Sequence, residues 1–123
     1  MILETGYPEG VVMLVVMSDG TISLFSNGGG SVLGAGKYPG PAQAARKLAL
    51  AGAQLGPRMP IVTDYALPQM GVAKLYVLIG GMVRGVAGRE RDFGENRVQF
   101  SPLFHAAHHV IAEIRRIPPQ PKA

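Results

Sequence analysis

The chain has 123 residues, 47% of them hydrophobic and 16% charged, with no cysteine and no tryptophan. That length admits one domain with its own core, and that apolar content excludes disorder as the main state. The absence of cysteine excludes disulfides, thiolate catalysis and cysteine-ligated zinc, and the net charge of +4 is too small to mark a nucleic-acid binder by itself.

Charge distribution says more than the sum. No acid lies between Asp19 and Asp64, a stretch that holds Lys37, Arg46, Lys47 and Arg58. Arg84, Arg89, Arg91 and Arg97 follow, with Glu90, Asp92 and Glu95 interleaved, so the second cluster neutralises itself. The start, Met-Ile-Leu-Glu-Thr-Gly, lacks the basic region and apolar stretch of a signal peptide. The longest apolar run, residues 11–17, is far below the roughly 20 residues that span a bilayer as a helix. The expectation is a single cytoplasmic domain over residues 1–123, with a Pro-rich tail at 118–123 and no membrane association.

In chain order, residues 11–17 (Val-Val-Met-Leu-Val-Val-Met) read as a strand apolar on both faces. Asp19-Gly20 follows, a two-residue hairpin signal of type I′. Residues 21–26 alternate, with Ile22 and Leu24 on one face and Ser23 and Phe25 on the other. Asn27-Gly28-Gly29-Gly30 breaks this strand, and residues 31–33 extend it briefly. Pro41 suits the first turn of a helix over 42–55, whose stripe is Ala45, Leu48, Ala49, Gly52 and Leu55. Gly56-Pro57 ends it.

Residues 57–71, rich in proline, read as a connector. Residues 72–79 form a third strand with Leu75, Val77 and Ile79 on one face. Gly80-Gly81 turns it into a fourth over 82–88, and 89–97 is a charged loop. Ser101 as N-cap and Pro102 in the first turn open a last helix. Leu103, Ala107, Val110, Ile111, Ile114 and Ile117 share its inner face, with His105, His109 and Arg116 opposite. Pro118-Pro119 stops it. The first ten residues, with Gly6, Pro8 and Gly10, cannot make a helix and carry no assigned element.

The class is therefore α+β in the order ββαββα, an antiparallel sheet with both helices on one face. The opposite face then bears one of the two apolar sets of strand 11–17. A second copy of the chain covers it most simply, and the connector or the first ten residues are the intramolecular alternative.

The stretch Asp19-Gly20-Thr21-Ile22-Ser23-Leu24-Phe25-Ser26-Asn27-Gly28-Gly29-Gly30, with Leu33-Gly34-Ala35-Gly36 and Ser101-Pro102-Leu103-Phe104, resembles a family of small uncharacterised bacterial proteins. That resemblance implies no activity. The element order is also similar to roadblock and profilin-like domains, which pair through sheets or helices; the likeness is topological.

Candidate chemistry is sparse. Asn27, Gly28, Gly29, Gly30, Ser31 and Lys37 form the one candidate ligand site, an anion cradle before a helix. Neither a P-loop nor a G-x-G-x-x-G pattern is present there, and a strand exit explains the glycines equally well. His105 and His109 have metal-clamp spacing, but Ala106 stands where a zincin has glutamate, so no metal is assigned. No serine sits in G-x-S-x-G, so no catalytic residue is assigned. Asp64-Tyr65 reads either as a loop site or as a turn Asp beside a docking Tyr. No cofactor and no specific nucleic-acid contact is expected. The leading expectation is a non-enzymatic homodimeric interaction module that meets a protein partner. The second is a small-ligand or anion-binding protein using residues 27–40.

Overall fold

A computed structural model describes residues 1–27 and 30–117; Gly28, Gly29 and the tail 118–123 lie outside the described residues. Strands β1 (Ile2–Tyr7), β2 (Gly10–Val16), β3 (Ile22–Ser26) and β4 (Ser31–Leu33) precede helix α1 (Pro39–Leu55). Strands β5 (Val72–Ile79) and β6 (Met82–Arg89) precede helices α2 (Glu90–Gly94) and α3 (Ser101–Arg115). All strand pairs are antiparallel, in one sheet of order β4-β3-β2-β1-β5-β6. The α+β class holds. The ββαββα order is corrected, because the sheet has six strands rather than four.

The largest correction is β1. Residues 1–10 are neither unstructured nor a lid; they supply a central strand between β2 and β5. Its inner face is Leu3 and Thr5, and its outer face is Ile2, Glu4 and Gly6, too polar and too small to show a strand pattern. The residues 31–33 extension is a separate edge strand turned back on β3. The charged loop contains α2, a five-residue helix whose Phe93 is buried and stacks on Phe104 at 5.3 Å between ring centroids.

Both expected hairpins are present. Gly80 and Gly81 have φ of 59° and 76°, as type I′ requires. At Asp19-Gly20 only the glycine has positive φ, 92°. Met17 N–H bonds the Thr21 carbonyl at 2.9 Å, and Gly20 N–H bonds the Met17 carbonyl at 3.1 Å. The loop is thus Ser18-Asp19-Gly20, a turn closed by a glycine bulge instead of a two-residue turn. The Asp19 carboxylate accepts the Thr21 N–H at 2.9 Å.

α1 begins at Pro39, two residues before Pro41, and Ala44 joins its buried stripe while Ala49 is exposed. Ser101 is the first residue of α3 rather than its cap; Phe100 precedes it, and the Ser101 hydroxyl is buried without a partner. The α3 inner face is otherwise as expected, with Leu103, Ala107, Val110, Ile111 and Ile114 buried. α1 and α3 pack on one face of the sheet, closing a core around Leu3, Leu14, Val16, Ile22, Leu75 and Val77.

Candidate interaction face

The connector decides what the other face of the sheet looks like. After Met59, buried in the core, the chain rounds the β6 edge. There Val62 N–H bonds the Val83 carbonyl at 2.9 Å, and Gly85 N–H bonds the Pro60 carbonyl at 3.0 Å. It then crosses the back of the sheet as a strap. Tyr65 rests on Tyr76 with ring centroids 6.0 Å apart. The Lys74 ammonium donates to the Ala66 carbonyl at 2.6 Å. Pro68 and Gln69 pass directly over Gly6, where a Cβ would overlap the Gln69 carbonyl. Gly71 N–H bonds the Gly6 carbonyl at 2.8 Å before β5 begins.

In the strap Asp64 closes a turn and Tyr65 docks on Tyr76. The Asp64 carboxylate accepts the Ala66 N–H at 3.0 Å, and the Tyr65 hydroxyl donates to the Val62 carbonyl at 3.2 Å. The part of the back face over Gly6 of β1 and Lys74 and Tyr76 of β5 is therefore covered.

The β2–β4 half and the end of the sheet at Ile2, Leu78 and Val83 are not. Strand register puts Met13 beside Phe25, Val15 beside Ser23 and Ile2, and Ser23 beside Leu33, all on the back. Met17 is 54%, Leu33 65% and Leu78 66% exposed. Ile2, Val15, Met17, Leu78 and Val83 line a shallow apolar groove of about 390 Å³. Of the two side-chain sets of strand 11–17, Val12, Leu14 and Val16 face the helices and Val11, Met13, Val15 and Met17 face outward.

The expected ligand residues do not converge. Asn27 is tied to β2, its side-chain oxygen accepting the Val11 N–H at 2.6 Å and its own N–H bonding the Val11 carbonyl at 3.1 Å. Gly30, with φ 84°, accepts the Ser26 N–H, and Ser31 opens β4. β4 then carries the chain to the far end of β3, where Gly36 packs on Gly20. Lys37 lies there, 5.4 Å from the Tyr38 ring centroid. Gly30 and Ser31 are thus separated from Lys37 and the α1 N-terminus by the length of β4. Gly28 and Gly29 lie outside the described residues.

On α3, the His105 ring bonds Asn96 at 2.9 Å, and His109 lies 3.5 Å from Glu113. Among the described residues no three potential metal ligands cluster. The cations of 89–97 pair locally, Arg97 with Glu95 at 2.9 Å and with Asp92 at 3.7 Å. Among the described residues no helix is long and apolar enough to cross a membrane.

Two groups that the sequence reading passed over sit beneath the strap. Glu4 is 6% exposed and Tyr76 8% exposed, and Glu4 Oε1 and the Tyr76 hydroxyl lack hydrogen-bond partners. The available signal was an acid inside the apolar run Ile2-Leu3-Glu4-Thr5. Burial pushes the Glu4 carboxyl above its usual range, with Lys74 opposing. The native state then binds more protons than the unfolded chain between the usual and the raised value, so Glu4 costs stability as pH rises through that window. Glu4→Gln is expected to gain about 1 kcal/mol at neutral pH and nothing below the carboxylate range. Urea melts of both proteins at the two pH values check this; a variant less stable at neutral pH contradicts it.

Compared with protein-family models, curated proteins and solved structures, the chain matches none.

Proposed function

We propose that the protein is a cytoplasmic, non-enzymatic module that pairs with a second copy of itself through the back of its sheet. The observation that carries this reading is the step across that face. The strap raises the part it crosses by one chain thickness, and the β2–β4 half beside it stays recessed and apolar. A two-fold axis through the step seats each strap in the partner's recess, the self-complementarity that an isologous interface needs. The strap's outer side brings Leu67, Met70 and Tyr65, each more than half exposed. Exposed apolar surface on this scale is typical of interaction sites rather than of a monomer's solvated skin.

Charge supports the same arrangement. Arg46, Lys47, Arg115 and Arg116 are exposed on the helical layer, so much of the positive charge is carried away from the proposed contact.

The expected result from light scattering is a species of twice the 13.0 kDa chain mass at micromolar concentration. Val15→Asp, placed in the recess, is expected to halve that mass with the circular dichroism unchanged. A wild-type protein that stays monomeric on concentration overturns the reading.

A further inference from the structure

Under the strap one cation has two acceptors within its reach and serves the weaker of them. Glu4 and Lys74 are direct partners in the β1–β5 register, both on the back face. Side chains so placed start about 5 Å apart and pair readily when their charges are opposite. Here they do not: among the described residues no ion pair joins them. The Lys74 ammonium instead donates to the Ala66 carbonyl of the strap at 2.6 Å, and Glu4 Oε1 is left buried with no partner. That arrangement suits a protonated Glu4, because burying a neutral carboxyl costs far less than burying a bare carboxylate. It does not suit an ionised Glu4, for which Lys74 is the opposite charge at hand.

We propose that Lys74 is a two-position latch for the strap, set by the proton on Glu4. While Glu4 carries its proton, the ammonium holds the Ala66 carbonyl and the strap is docked. When the proton leaves, the ammonium turns to the carboxylate, because a hydrogen bond between two charged groups is stronger than one to a neutral carbonyl. The Tyr76 hydroxyl, buried and unpartnered on the same face, is a second donor for that carboxylate. Ala66 is then released. The strap keeps its end anchors, Pro60 and Val62 on the β6 edge and Gly71 on Gly6, so only the stretch between them loosens. The docked state holds the Glu4 proton more tightly than the loosened one, so by linkage acid favours docking and rising pH favours release. Burial of Glu4 moves this change up from the ordinary carboxylate range. Asp64 and Tyr65 of the strap and Tyr76 of β5 also face the cluster. The register partners Met13 on β2 and Ala87 on β6 carry no charge. Tyr65 and Leu67 lie in the released stretch and belong to the proposed pairing surface, so pairing tightens in acid. That consequence rests on the pairing reading; the latch itself does not.

The test is an NMR titration of the intact protein from acid to neutral pH, with the Glu4 carboxyl followed by its own carbon shift. The ratio of docked to loosened strap is read from the Tyr65–Tyr76 cross-peaks and the Ala66 carbonyl carbon. It is expected to fall at least about tenfold as Glu4 ionises, with the α3 signals unchanged. Glu4→Gln is expected to keep the strap docked at neutral pH as the wild type is in acid. Asp64→Asn retains an acceptor for the Ala66 N–H and is expected to retain the pH response. Lys74→Met keeps the alkyl stem, loses the latch and is expected to leave the strap loosened at every pH. The proposal is overturned if the strap does not respond while Glu4 titrates, if the response persists in Glu4→Gln, or if it vanishes in Asp64→Asn. Light scattering of the same samples separates the two proposals. A strap that responds in a protein monomeric at every pH removes the pairing reading and upholds the latch; a dimer whose strap does not respond removes the latch alone.

Discussion

Alanine at position 6 is expected to lower stability by about 2 kcal/mol and the melting temperature by roughly 8 °C. Glycine to alanine in a strand is normally mildly favourable, because the unfolded chain loses freedom. Here the new methyl group points to the back face, directly into the strap. It overlaps the Gln69 carbonyl and lies 2.9 Å from the Pro68 carbonyl oxygen. Neither obstacle is a flexible side-chain end. β1 cannot yield, because it is paired on both sides, so the strap must lift and the Gly71–Gly6 hydrogen bond at 2.8 Å is lost. Overpacking costs about 1–3 kcal/mol and the bond about 1, against roughly 0.5–1 regained from chain entropy. Gly94→Ala is the control: nothing lies within 4 Å of its would-be Cβ, so it is expected to be neutral. Hydrogen exchange in residues 62–70 is expected to quicken in Gly6→Ala while α3 stays protected. A Gly6→Ala protein that melts with the wild type would show that the strap does not lie across β1.

What could be read from the chain alone follows from where each pattern is anchored. The hairpin at Gly80-Gly81 and the inner face of α3 were readable because their signals are local: two glycines between apolar runs, and apolar residues at helical spacing. β1 was not readable because its back-face residues answer to the strap rather than to solvent or core. Gly6 is small since Gln69 lies over it, and Glu4 is an acid where the alternation of a central strand calls for an apolar residue. α2 escaped because a single buried ring, Phe93, holds it, too little to make a period. The strap itself reads as irregular from its prolines, yet its path is set by backbone bonds to the β6 edge and by Lys74, which lie at least eight residues away in sequence.

For the interaction face, the doubly apolar run 11–17 correctly announced that one side-chain set would be left outside the helical core. It could not say that part of the face is covered within the chain. For the ligand residues, the glycine run suggested a loop leading straight into α1. The three residues of β4 intervene, and three residues of strand suffice to move the loop to the other end of β3. The cluster of Glu4, Lys74 and Tyr76 was invisible because its members are 70 or more positions apart, save for the pair on β5, and only the β1–β5 register brings them together.

Leu14→Ala and Val15→Ala are expected to differ by about 3 kcal/mol in a dilute, monomeric protein, although the positions are neighbours. Leu14 is 1% exposed and lies between its register partners Leu3 and Leu24 on the helical side. Truncating a buried leucine removes its transfer free energy and leaves a cavity, together about 2–5 kcal/mol. Val15 points to the back, beside Ile2 and Ser23, where it is only half-buried. Shortening it costs under about 1 kcal/mol of folding stability. Its larger cost appears in association, so Val15→Ala is expected to weaken pairing at concentrations where Leu14→Ala, if folded, pairs as the wild type does. Urea melts at high dilution, followed by sedimentation at high concentration, separate the two effects. A strand shifted by one residue would exchange every side chain between the faces, and the two variants would then swap their behaviour. Equal destabilisation by both would mean that the back face at Val15 is packed within the chain, leaving no recess for a second copy to fill.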